Sequence, residues 1–153
     1  MKSRAGYTAA GLCPFFDMQF EYEIEGGDFS SAGKASSDIK KILKQLNIDP
    51  QIVRKIAVAL YEAEVNVVAH AYKGVMRVDL DAQRIKILLE DEGPGIENIE
   101  RAMQEGFSTA SEEVRQMGFG AGMGLPNIKR NTDEMYLTSL PGKGTTLEMT
   151  VKF

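Results

Sequence analysis

Residues 50–72 read PQIVRKIAVALYEAEVNVVAHAY. Ile52, Ile56, Leu60, Ala63, Val67 and Ala71 keep a helical period, which predicts a long helix with one side in the core. Asp49 followed by Pro50 is an N-cap and first-position signature, and Lys73-Gly74 marks the expected end. Glu62 and Asn66 stand four apart, on one face and one turn from each other, and His70 continues the line. Ala59, Ala63, Val65, Val67, Val68 and Ala69 flank them, so a polar stripe runs through an apolar helix. Burying such groups is costly unless each meets a partner. Two readings stay open here. The pair is an internal Glu–Asn hydrogen bond of purely structural use, or it is chemical. In the second case the Asn oxygen suits Mg²⁺ and the Glu orients and deprotonates a hydroxyl or water.

Upstream of this helix, MQFEYEIEG (18–26) alternates apolar and polar residues, as a half-buried strand at a sheet edge does. Ser30 or Ser31 is the expected cap of a helix running to about Leu46, with Ile39, Ile42, Leu43 and Leu46 as its apolar stripe. Residues 1–16 show no periodicity and read as a flexible leader before one domain over 17–153. Downstream, Val75–Asp81 and Arg84–Glu90 predict a hairpin whose second strand is apolar enough to be central. DEGPGI (91–96) is a sharp loop before a short helix near Glu97–Glu105. The polar, poorly periodic segment 106–119 reads as a flexible lid, and a helix is expected over about Leu125–Thr132. EMYLTSL (134–140) and TTLEMTVKF (145–153) predict two strands around a Pro141–Gly144 turn. This order indicates an α/β two-layer sandwich with a largely antiparallel sheet.

Composition removes several classes of function. The chain has 153 residues, 43% hydrophobic and 26% charged, ordinary values for one globular domain. A net charge of −4 offers no electrostatic reason to expect nucleic acid or an anionic membrane. Cys13 is the only cysteine and His70 the only histidine, which excludes an intrachain disulfide, an ordinary zinc site and a histidine-based triad within the chain. No apolar run approaches the ~18 residues of a membrane span, and glycines and Pro14 interrupt any signal-like segment near the start. The expected location is the cytoplasm.

MGFGAGMGL (117–125) places glycines at 118, 120, 122 and 124 just before a helical pattern. Such a loop either is a mobile turn or aims main-chain N–H donors at a phosphate. Two common nucleotide templates fail on spacing. GxxxxGK[ST] is absent, and GxGxxG is broken by the alternation of the glycines and by Met123. Asp91, at the end of an apolar strand, starts a turn, or accepts a hydrogen bond from an exocyclic amine such as that of adenine. Gly93 and Gly95 beside it would let a flat ring approach the main chain.

EAEVNVVAHAY, DEGPGI, GFGAGMGL and GKGTT stand in the order and approximate spacing of the N, G1, G2 and G3 boxes. Over about residues 18–153 the chain resembles the gyrase/Hsp90/histidine-kinase/MutL ATPase superfamily, and within it the small anti-sigma-factor type of bacterial serine/threonine protein kinase. The resemblance implies the Bergerat fold, with a mixed, mostly antiparallel sheet covered by helices on one face. It implies ATP and Mg²⁺, with Glu62 as catalytic base and Asn66 as metal ligand. Asp91 would read adenine, Gly93, Gly95 and Ile96 would border the base, and Thr145 or Thr146 would support its recognition. Gly118, Gly120, Gly122, Gly124 and Leu125 would hold phosphates at the end of the lid. This lid departs from the family in being acidic in its middle, so main-chain amides carry most of that contact, with Arg115 or Lys129 as candidate helpers. His70 is implied to be structural and not a phosphoacceptor.

The implied activity is phosphorylation of a serine on a small antagonist protein, with sequestration of a sigma factor or similar target. A homodimer is implied as well, and neither nucleic acid nor membrane is a direct partner. Two other activities fit the same site: an ATP-gated binding switch without transferase activity, and the catalytic domain of a split histidine kinase.

Overall fold

The computed structural model describes residues 4–5, 17–117 and 122–153. Its central helix starts where Asp49 and Pro50 predict. The Asp49 carboxylate accepts a hydrogen bond from the Gln51 N–H at 2.7 Å, and Pro50 takes the first helical position, where no N–H is needed. This helix, α2, runs Pro50–His70. It packs against α1 (Lys34–Gln45), against α5 (Gly124–Arg130), and onto β2 (Met18–Glu25) and β3 (Lys73–Leu80). Ile56, Ala59, Leu60, Ala63 and Val67 are fully buried in the common core. The helix ends two residues before the expected Tyr72. Lys73 and Gly74 already pair with Glu92 and Asp91, and a side chain at 74 would press on Val67, so the sheet claims these residues.

The strands are β1 (Arg4–Ala5), β2, β3, β4 (Arg84–Glu92), β5 (Glu134–Leu140) and β6 (Gly144–Lys152). They lie in the order β1-β2-β3-β4-β6-β5, and every pairing among the described residues is antiparallel. The β3–β4 hairpin turns on Asp81, whose carboxylate accepts from the N–H groups of Gln83 and Arg84. Alternation then separates the faces. Met76, Val78, Ile85, Ile87, Leu147 and Met149 point into the core, while Glu21, Arg77, Glu90 and Glu148 point out. Arg77 bridges Glu21 and Glu90 across the outer face at 3.1 and 2.8 Å, a surface network of small energetic weight. The result is a two-layer α/β sandwich. β4 is central, between β3 and β6, and among the described residues β2 meets only the two-residue β1 on its outer side. Of the expected leader, Arg4–Ala5 forms that strand, and the rest lies outside the described residues. Among the described residues no helix is long and apolar enough to cross a membrane.

The first helix departs from expectation. Neither Ser30 nor Ser31 caps it. They belong to a single 3₁₀ turn, Phe29–Ser31, and α1 begins at Lys34 behind Gly33 with no cap from its own segment. The acceptor comes from α2. Glu64, 2% exposed, takes the Gly33 N–H on Oε2 at 2.8 Å and the Ser36 N–H on Oε1 at 2.6 Å. Charge-assisted bonds to unpaired first-turn donors, on the positive end of the helix, offset the cost of burying the carboxylate. Burial still holds the Glu64 carboxyl above its ordinary range, with the backbone N–H groups of Ser36, Gly33 and Ala35 acting the other way. The nearby Tyr22 phenol is pushed up to about 12, by burial first and then by the Asp38 and Glu64 carboxylates.

Glu64→Leu should therefore lower the unfolding free energy by about 1–3 kcal/mol. Urea unfolding measures it, together with hydrogen exchange at the amides of Gly33 and Ser36. Unchanged protection there would show that α1 does not need this acceptor.

Candidate functional site

A cavity of about 730 Å³ opens between α2, the loop after β4, the segment from Phe107 to Ser111, the start of α5 and the start of β6. Its two ends are built differently. At one end Asp91 closes strand β4, and the Thr145 N–H donates to its Oδ1 at 3.0 Å. Burial raises the Asp91 carboxyl above its ordinary range, and the Thr145 hydrogen bond only partly counters this. The close fit needs Gly144. A Cβ there would lie 2.0 Å from the Asp91 carbonyl oxygen and 3.2 Å from Oδ1. Ser139 completes this end. Its Oγ accepts from the Ile96 N–H at 2.7 Å, donates to the Gly144 carbonyl at 3.0 Å and lies 2.9 Å from Thr145 Oγ1. With the single Ser139 proton given to Gly144, the Thr145 hydroxyl is the donor of that last pair, which leaves its own lone pairs free.

At the other end Glu62 and Asn66 reach from α2 toward the start of α5. A Cβ on Gly124 would lie 3.0 Å from Asn66 Oδ1 and 3.4 Å from Glu62 Oε2, so the two side chains converge where a side chain is missing. Glu62 Oε1 accepts from the Asn127 amide at 3.1 Å. Among the described residues no hydrogen bond holds the Asn66 carboxamide. His70 lines the same cavity one turn on, and burial lowers its imidazole pKa, which favours the neutral ring.

Glu62, Asn66, Asp91, Gly95 and Ile96 all border this one cavity. So do Gly122, Gly124, Leu125 and Thr145. Gly93 does not. Its missing Cβ faces Ala71 at the end of α2, 2.9 Å from that Cα, so it serves the packing of loop on helix. Thr146 is also elsewhere, opposite Glu90 and Thr138 in the sheet, because the strand pleat turns it to the face away from Thr145. Gly118 and Gly120 lie outside the described residues.

The short helix expected near Glu97–Glu105 is a single turn, α3 (Ile99–Ala102), and the lid segment carries α4 (Glu112–Gln116), capped by the Ser111 hydroxyl. α5 begins at Gly124 and ends at Arg130, two residues short of the expected Thr132. Arg115 donates to the Ser108 carbonyl at 2.9 Å, and neither it nor Lys129 lines the cavity. Among the described residues the cation on the wall is Arg101 of α3, held over the Phe107 ring at 4.8 Å. Arg101, Asn127 and Ser139 were not foreseen. Ser139 had a signal, as a polar residue in phase with Met135 and Leu137 on the inner face of its strand.

Comparison with known proteins fits this geometry. Residues 28–151 match the histidine kinase-like ATPase domain. The chain belongs to that family. Use of ATP follows from membership. Its relatives include a serine/threonine-protein kinase, RsbT, of Bacillus subtilis, 34% identical over 71% of this chain and 79% of the relative. An anti-sigma F factor of a Thermoanaerobacter species is 39% identical over 67% of this chain and 73% of its own. The fold is also that of a chain in the crystal structure of the SiaB–SiaC complex from Pseudomonas aeruginosa, with a TM-score of 0.55, 11% identity and coverage of 88% and 89%.

The half-buried His70 of this ATPase domain makes its stability depend on pH. Its folded pKa is depressed, so between that value and the ordinary ~6.5 the unfolded chain binds a proton that the folded chain refuses. The contribution is fully present above about 6.5 and is lost as pH falls toward the folded value. Wild type should lose more stability than His70→Gln between pH 7.5 and 5.5 in urea titrations. Parallel losses would mean that the ring is not held neutral.

Proposed function

We propose that residues 17–153 form one ATPase domain that binds Mg²⁺-ATP in the cavity and phosphorylates a serine on a small antagonist protein. A sigma factor or similar target is bound when the antagonist is modified. The observation that carries this reading is the division of one cavity into two chemically distinct ends. Asp91, fixed by Thr145 and Gly144, offers a carboxylate to an adenine amino group, with Gly95 and Ile96 beside the ring. Glu62 and Asn66 stand at the reacting end, with Gly122, Gly124 and Leu125 at the phosphates. The match to a serine/threonine kinase and to anti-sigma F factors supports the activity and the class of partner.

Asn66 fits a magnesium ion. Its half-buried carboxamide oxygen has no hydrogen bond among the described residues, and Mg²⁺ takes one or two protein oxygens beside phosphates and water. When bound, the ion would supply charge stabilisation on the phosphates. The chain's own residues do the rest. Glu62 accepts the proton of the seryl hydroxyl as its oxygen bonds to the γ-phosphorus. The bond from that phosphorus to the β–γ bridging oxygen breaks, and ADP leaves with the electron pair. Positioning and charge placement dominate such a transfer, so one oriented base and a closed cavity suffice.

Calorimetry should show Mg²⁺-dependent ATP binding that is lost in Asn66→Ala and in Asp91→Ala. Unchanged affinity in both variants would sink the assignment. Glu62→Ala should keep ATP binding while transfer to a candidate antagonist falls by roughly 10²–10⁴-fold. If partner regulation survives that substitution intact, an ATP-gated switch without transferase activity describes the chain better.

A further inference from the structure

The Glu62 carboxylate is not free on both sides. Asn127 of α5 donates its amide N–H to Oε1 at 3.1 Å, while Oε2 lies toward the gap left by Gly124, with no donor among the described residues. One oxygen is clamped and one is presented to the cavity. The clamp has its own support. Arg130 NH1 donates to Asn127 Oδ1 at 3.3 Å, which places the amide oxygen toward the guanidinium and the amide nitrogen toward Glu62. A flipped amide would set its oxygen against a carboxylate and its donor against a cation, losing both bonds at once. Asn131 adds a bond from its side-chain amide to the Asn127 carbonyl at 2.8 Å, fixing the backbone beneath.

Arg130 also reaches the lid. Its other terminal nitrogen forms an ion pair with Glu105. Glu105 directly precedes Gly106, whose N–H donates to the Gly122 carbonyl at 3.0 Å. The two chain ends of the lid meet there so closely that a Cβ on Gly122 would stand 2.4 Å from the Gly106 carbonyl carbon. A continuous set of contacts therefore runs from the lid base through Glu105, Arg130 and Asn127 to Glu62.

We infer that Asn127 is a positioning residue for Glu62, holding one carboxylate oxygen so that the other meets the acceptor hydroxyl, and that Arg130 keeps Asn127 in that orientation from the base of the lid. The inference rests on the reading of Glu62 as the base. It gives α5 a role in the reaction beyond bordering the phosphates.

The test uses the full chain, with ATP affinity by calorimetry and single-turnover transfer at saturating ATP. Asn127→Leu should lower the transfer rate on the order of a hundredfold, the cost of a base out of line, while the Kd for ATP stays within about twofold. Arg130→Met should lower the rate in the same sense, and adding it to Asn127→Leu should cost nothing more. A rate within about twofold of wild type for Asn127→Leu, with wild type active, overturns the inference and leaves the kinase reading standing. A wild type that binds ATP and transfers nothing overturns the kinase reading, and the positioning role with it.

A urea double-mutant cycle with Glu62→Ala and Asn127→Ala checks the contact without activity. Coupling makes the double variant lose less than the sum of the two single losses, whereas strictly additive losses would refute the clamp.

Discussion

One helical repeat has to serve three neighbours, and most of the molecule follows from how α2 does so. At about 100° per residue, Glu62 and Glu64 fall on opposite flanks of the stripe formed by Ile56, Ala59, Leu60, Ala63 and Val67. The stripe meets the sheet. Glu64 turns to α1 and supplies the acceptor its first turn lacks. Glu62 turns to α5 and the cavity. A carboxylate buried in the fold and a carboxylate that borders the cavity thus sit two residues apart, separated by Ala63. The small side chain between them lets both flanks be approached closely.

What could be read from residues alone divides along sequence distance. The α2 start, the β3–β4 hairpin and the β5–β6 return depend on near neighbours, and their signals were plain in Asp49-Pro50, in Asp81 and in the Pro141–Gly144 turn. The start of α1 depends on Glu64, 31 residues from Gly33. Nothing local marked it, and Ser30 and Ser31 offered a false cap. The Asp91–Thr145 contact spans 54 residues, and choosing Thr145 over Thr146 requires the register of β6 on β4, since one step along a strand changes the face. Asp91 was legible as a carboxylate at a strand end, and Gly95 as its neighbour. Gly93 packs on Ala71 instead of bordering the cavity, because glycine permits close approach by a protein backbone as readily as by a ligand. Glu64 carried an unused signal, a charge four residues from both Leu60 and Val68 inside the buried face.

The two ends of the cavity hold their carboxylates by different means. Asp91 is fixed through main-chain atoms: its own carbonyl against Gly144, the Thr145 N–H, and a Ser139 hydroxyl that ties Ile96 to the Gly144 carbonyl. Such a framework has few soft torsions, and it suits recognition of a flat, rigid group. Glu62 is fixed through side chains, Asn127 and then Arg130, which can rearrange on rotamer timescales. That suits a group that must meet an incoming partner. One end is thus set by the backbone and the other by a chain of side chains.

Charge placement sets the remaining constraint. A chain of net charge −4 that brings Glu62 and Asp91 to one cavity opposes a polyanionic nucleotide unless positive charge is supplied locally. The side-chain cation on the wall, Arg101, lies over the Phe107 ring at the lid edge, and Arg130 is engaged by Asn127 and Glu105. Neither is committed to the floor of the cavity. On the reading proposed above, compensation would come from a metal ion beside Asn66 and from main-chain donors. Without such compensation the cavity carboxylates disfavour a further anion. On the proposed reading the charge that admits the nucleotide also favours loss of the acceptor proton, so binding and transfer would be coupled by electrostatics.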